Sequence, residues 1–131
     1  MAQALLVNVD LDAGAKILGI MDRANVRVSI AAWIVFDEYG DWRLLLSSPQ
    51  LDATGPGKAS GLVFSALVAA DFPVEKTPTI LILPTTDSTV RSRIFGKAKT
   101  AEGVRLGGRQ IGKRWVEDAY VYGFRNLATN I

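Results

Sequence analysis

Between Asp10 and Ala24 the apolar residues Leu11, Ala15, Leu18 and Met21 return at helical spacing, with Ile17 and Ala24 beside them. Asp12, Lys16, Gly19 and Arg23 fall on the opposite arc. This pattern predicts an amphipathic helix capped by Asp10 or Asp12 and ended at Asn25. From Val26 to Phe36 the period drops to two: Val26, Val28, Ile30, Ala32, Ile34 and Phe36 alternate with Arg27, Ser29, Ala31, Trp33, Val35 and Asp37. The expectation is a long strand whose second half is apolar on both sides. Asp37-Glu38-Tyr39-Gly40-Asp41 then reverses the chain, Gly40 supplying the left-handed conformation, and Trp42 to Leu46 returns as the second arm of a hairpin.

Pro49, Asp52, Gly55, Pro56 and Gly57 read as a loop. Ala59, Leu62, Val63, Ala66, Leu67 and Ala70 then trace one face of a second helix that ends near Asp71, before Pro73. Thr79 to Leu83, between Pro78 and Pro84, is a short continuous apolar run of the kind that forms a buried strand. Asp87 is suited to cap a third helix that turns Val90, Ile94 and Phe95 inward and Arg91, Arg93 and Lys97 outward. Two further strands, Val104 to Ile111 and Trp115 to Phe124, flank the turn Gly112-Lys113-Arg114. The order α-β-β-α-β-α-β-β predicts an α+β domain over residues 1–131, with one mixed or mostly antiparallel sheet and helices packed on a face.

At 131 residues, 49% apolar and 21% charged, the chain has the size and composition of one ordinary globular domain. It contains neither cysteine nor histidine. Zinc sites built on those residues, thiol or Ser-His-Asp nucleophiles, haem held by His or Cys, iron–sulfur clusters and disulfides are therefore excluded, and no cofactor or metal is expected. The opening apolar run stops at Asn8 without a basic stretch before it, so neither a signal peptide nor a membrane span is expected, and the cytoplasm is the expected compartment.

The tail segment Glu117-Asp118-Ala119-Tyr120-Val121-Tyr122, preceded by Gly103-Val104-Arg105-Leu106, resembles the closing segment of a group of small uncharacterised bacterial proteins. Ala13 to Leu18, Ala31 to Val35, Trp42-Arg43-Leu44, and Ser48-Pro49 leading to Gly55-Pro56 fit the same group in like order, so the resemblance spans about residues 13–122. The chain departs from the group's asparagine-rich turn, having Gly107-Gly108-Arg109-Gln110-Ile111-Gly112-Lys113-Arg114 instead. The resemblance implies a single α+β domain and carries no activity.

Gly55-Pro56-Gly57-Lys58-Ala59-Ser60 stands where phosphate loops stand, but Asp52 occupies the first glycine's position and Ala59 the position of the hydroxyl residue after the lysine. It reads as a Gly-Pro entry into a helix. The carboxylates Asp37, Glu38 and Asp41 read as a solvated turn. Glu117 and Asp118 would point to opposite faces of a regular strand and could act together only if the strand were bulged. Asp118, with Tyr120 on the same face, is the candidate pocket residue.

Charge is distributed unevenly. Residues 1–87 hold 6 basic and 10 acidic side chains, net −4; residues 88–131 hold 9 basic and 3 acidic, net +6. Arg91, Arg93, Lys97, Lys99, Arg105, Arg109, Lys113 and Arg114, with Trp115, Tyr120 and Tyr122 interleaved, form a candidate contact region for nucleic acid or another anion. Charged helix faces are ordinarily only solvated, and the opposed halves equally suit intramolecular pairing or contact between copies. If helices cover one sheet face only, Trp33, Val35 and Trp42 would remain for a protein partner or self-association. The sequence therefore favours a non-enzymatic binding or self-assembling module, with nucleic-acid binding as the alternative and an enzyme or nucleotide binder behind both.

Overall fold

A computed structural model describes residues 8–92 and 104–122 of the chain. Helix α1 (Asn8–Arg23) leads into β1 (Ile30–Phe36) and β2 (Arg43–Ser47), followed by α2 (Pro49–Thr54), α3 (Pro56–Ala69), a 3-10 turn at Val74–Lys76 and β3 (Ile80–Ile82). The last two strands are β4 (Val104–Ile111) and β5 (Arg114–Val121). They form one mixed five-stranded sheet in the order β3-β2-β1-β5-β4. Among the described residues the only parallel pair is β2 with β3, which α2 and α3 connect. The fold is therefore α+β, as the alternation of elements predicts. No helix among the described residues is long and apolar enough to cross a membrane.

β1 is the central strand, antiparallel to β2 on one side and β5 on the other, and all seven of its residues are buried. This explains why its apolar residues crowd both faces. On one face Ala31 and Trp33 join Leu44, Leu46, Ile17, Met21, Val63 and Leu67 beneath α1 and α3. On the other, Ile30, Ala32, Ile34 and Phe36 join Leu45, Val116, Ala119 and Val121, with Leu83 and Val90 of the segment after β3 packed against them. Burial of each Val, Leu, Ile, Met or Phe side chain among these contributes about 1.5–3 kcal/mol.

Both long helices end in the same device. In α1, Asn25 at φ +60 lets Val26 donate to Met21 O (2.9 Å) and Asn25 to Asp22 O (3.2 Å). In α3, Asp71 at φ +57 lets Phe72 donate to Leu67 O and Asp71 to Val68 O, both at 3.0 Å. A left-handed residue flanked by these two bonds is a Schellman stop. The polar residue just past each apolar pattern was the signal for it.

Three sequence expectations change. The 49–57 loop contains α2: Ser48 accepts a hydrogen bond from Leu51 N at 3.2 Å, Pro49 occupies the first turn, and Gly55 at φ +90 separates α2 from α3. β3 is half-exposed because it lies at the sheet edge, where a continuous apolar run is not fully covered. The segment expected to open a third helix at Asp87 forms turns through residue 91. Asp87 does cap that turn, its carboxylate accepting from Thr89 N at 2.9 Å, but Ile94 and Phe95 lie outside the described residues.

Candidate functional site

The interaction face expected at Trp33, Val35 and Trp42 is not open. Trp33 is 4% exposed and Val35 fully buried, because theirs is the face that α1 and α3 cover, while Trp42 is half-buried against the same cluster. Trp33 Nε1 donates to Tyr122 Oη (2.8 Å), and Tyr122 Oη donates to Leu11 O of α1 (2.8 Å). A Cβ at Gly14 would overlap Tyr122 Oη and come within 2.9 Å of Trp33 Nε1. The glycine is thus what lets the helix seat on this polar contact.

The tail strands carry the candidate charges. Register between β4 and β5 is continuous from Val104↔Val121 to Ile111↔Arg114, yet the buried set changes phase inside it, from Leu106, Ala119 and Val121 to Ile111 and Val116. Gly108, at φ +25, and Glu117 lie at the break. Against β1 the break is a bulge: Val35 pairs with Asp118 and Phe36 with Val116. This is the bulge that the Glu117-Asp118 pair required, but Asp118 is committed elsewhere.

Asp118 accepts from Arg105 Nε at 2.8 Å and Arg105 Nη2 at 2.5 Å, a two-point contact between adjacent strands. The Arg105 hydrogen bonds hold the Asp118 carboxyl below its ordinary range against a smaller opposing effect of burial, and the Asp118 bond raises Arg105 in turn. Arg105 also lies 5.7 Å over the Trp42 ring. Tyr120 packs against the helix-side core and edge-on to Tyr122. Asp118 and Tyr120 therefore close the sheet face: the carboxylate is held as an anion by a guanidinium, the opposite of a proton-transfer poise.

Of the remaining predicted cations, Arg93, Lys97 and Lys99 lie outside the described residues. Arg114 Nη1 meets both Asp87 oxygens at 2.8 Å, its Nε lies 3.3 Å from Glu38, and it sits over the Phe36 ring. This is intramolecular matching between the acidic first part of the chain and the basic last part. Glu38 and Asp41, which pairs with Arg43 at 3.0 Å, are thereby partnered, so the turn is more than a solvated loop. Arg91, Arg109 and Lys113 are exposed. Arg109 extends from the outer strand, whereas Arg91 and Lys113 share a cleft with Thr86, Asp87, Ser88, Ser92 and Arg114. The described cations thus diverge into separate places and make no continuous stripe.

The Gly55–Lys58 stretch is the junction of two helices, and Asp52 turns away from it to accept from Thr85 N (3.1 Å) and the Thr85 hydroxyl. A smaller, mainly apolar cavity of about 340 Å³ lies beside that contact, lined by Leu51, Asp52, Ile82, Pro84 and Thr86.

What the sequence reading missed is the edge itself. β4 is eight residues long and outermost, with no strand of the described residues on its outer side; the opposite edge, β3, has three residues. Arg105, Gly107, Gly108, Arg109 and Gln110 are all exposed, a Cβ at Gly107 would meet nothing within 4 Å, and Trp115 of β5, opposite Gln110, is 47% exposed. The signal available was the low apolar content of Val104–Ile111 beside the richer apolar strands. No protein-family model, curated protein or solved structure matches the chain.

Proposed function

We propose that this protein is a non-enzymatic, cytoplasmic interaction module that takes an extended, acidic segment of a partner protein as a sixth strand along β4. The observation that carries the reading is the long outer strand with arginines at two positions and no acidic residue. Unpaired backbone groups of such an edge supply affinity by strand addition, and neighbouring side chains supply preference. Here those neighbours are Arg109, which has no carboxylate partner among the described residues, and the exposed face of Trp115, while Arg105 is already paired with Asp118. Gly107 and Gly108 leave room for a second backbone to approach.

Self-pairing of two β4 strands is the less suited form of the same idea, because each copy adds Arg109 and supplies no carboxylate beyond the Asp118 that Arg105 already holds. Nucleic-acid binding along 91–114 has less support, since the described cations of that stretch diverge and two of them are held by Asp118 and Asp87. The test is selection from a randomised peptide library displayed against the purified protein. The selected peptides should be rich in Asp and Glu, and Arg109→Glu should weaken them by tenfold or more. Enrichment of basic or uncharged peptides that ignore Arg109→Glu would refute the reading.

A further inference from the structure

We propose that the cleft between the 86–92 segment and the β4–β5 turn binds a phosphomonoester dianion. The cleft, about 750 Å³ and open to solvent, is lined by Thr86, Asp87, Ser88, Arg91, Ser92, Lys113 and Arg114. This site is separate from the outer edge of β4 and does not rest on its role.

Its charge balance favours an anion of this class. The one carboxylate in the lining, Asp87, faces Arg114 through two 2.8 Å contacts and is largely covered, while Glu38 approaches the same guanidinium from outside. Asp87 and Arg114 thus answer one another. The side chains of Arg91 and Lys113 remain, with no ion pair or hydrogen bond among the described residues, in one cleft. Two like charges sharing a concave surface repel, and an anion of two charges between them removes that cost. Hydroxyl donors are at hand: Ser88 Oγ already accepts from Lys113 N at 2.9 Å, which leaves its own proton to give, and Thr86 lines the same wall.

The cleft is also built rather than accidental. Thr89, fully buried, donates through Oγ1 to Ile111 O at 3.0 Å, which fastens the segment to the end of β4. Gly112, at φ +66, lies so close to Ser88 that a Cβ there would overlap the Ser88 carbonyl. With Ser88–Lys113 and Asp87–Arg114, these contacts fix the backbone of the two walls before any ligand arrives, so the ordering cost of binding falls on the Arg91 and Lys113 side chains. The volume lies within the range of small-molecule sites and exceeds what phosphate alone needs, leaving space for the organic part of an ester. The two cations without a carboxylate partner among the described residues match one dianion, whereas a phosphodiester chain would call for cations continuing beyond the cleft.

The test is a titration of the intact protein at constant ionic strength, followed by amide shifts in a nitrogen–proton correlation spectrum. O-phosphoserine and inorganic phosphate should each move the amides of residues 86–92 and 112–114 saturably. Binding should strengthen between pH 5 and pH 7.5 as the phosphate takes its second charge near pH 6. Arg91→Gln and Lys113→Gln should each weaken binding by about tenfold, with sheet amides unmoved to show that the fold is intact. A short phosphoserine peptide binding more than tenfold tighter than O-phosphoserine identifies a phosphorylated protein segment as the source; equal affinities identify a small phosphate ester. The proposal is overturned if chloride at matched concentration moves the same amides equally, if the double variant titrates like the wild type, or if an unphosphorylated-end oligonucleotide binds more tightly than O-phosphoserine.

Discussion

At the scale of single residues, three contacts make sharp predictions. Alanine is the better helix former by about 1 kcal/mol, yet Gly14→Ala should destabilise the protein by about 1–2 kcal/mol, because its methyl group must displace the doubly bonded Tyr122 hydroxyl. In a Tyr122→Phe background the same change should cost about 1 kcal/mol less; additive urea-unfolding energies would contradict the packing account. Ser47 Oγ is fully buried in β2 without a hydrogen-bond partner, so Ser47→Ala should be neutral or stabilise by up to about 1 kcal/mol in the same measurement. The Asp118 carboxyl is depressed in the folded state by Arg105, so its contribution is fully present above the ordinary value of 3.8 and is lost as pH falls through the folded value. Because Arg105 is half-exposed, the pair is worth only about 0.5–1 kcal/mol. Asp118→Asn should therefore destabilise at pH 7 and have a smaller effect at pH 2; an equal effect at both would assign the loss to packing.

At the scale of elements, α2 is held by one hydroxyl. Buried Ser48 accepts from Leu51 N and donates to Arg27 O at 2.6 Å, joining the helix start to the approach to β1. Ser48→Ala should cost about 1–2 kcal/mol, more than an exposed cap, while Ser48→Thr should retain most of it; thermal unfolding of both variants checks this. The six-residue helix escaped the periodicity of the sequence because it is too short to show one, and because Pro49, Gly55 and Pro56 are also loop residues. Only the Ser-Pro pair, a cap followed by a first-turn proline, could have revealed it. Elements with long patterns were legible: α1, the β1–β2 hairpin, α3 and both tail strands stand close to where the spacing puts them. The Gly40 turn closes as expected, Gly40 at φ +75 donating to Phe36 O. Burial of β3 and the phase break at Gly108 and Glu117 were not legible, since strand order decides the first and a cross-strand register the second.

At the scale of the whole molecule, the charge asymmetry of the chain divides between internal pairing and exposed positions. Part of it is spent inside, where Arg114 joins Asp87 and Glu38 across the hairpins. Trp33 and Val35, an interaction face by the sequence pattern, belong to the core, because alternation tells which residues share a face but not which face the helices choose. What remains on the outside is an eight-residue edge with arginine character and an exposed tryptophan behind it. Its charges also suit a chain that does not pair with itself, so sedimentation should find a monomer at micromolar concentration. Amide hydrogen exchange of the intact protein, with and without an acidic peptide chosen by display selection, tests strand addition at β4. Strand addition predicts that amides of residues 104–111 gain protection of tenfold or more on binding while those of β1 and β2 are unchanged. Protection confined to other elements, with β4 exchanging as before, would contradict it.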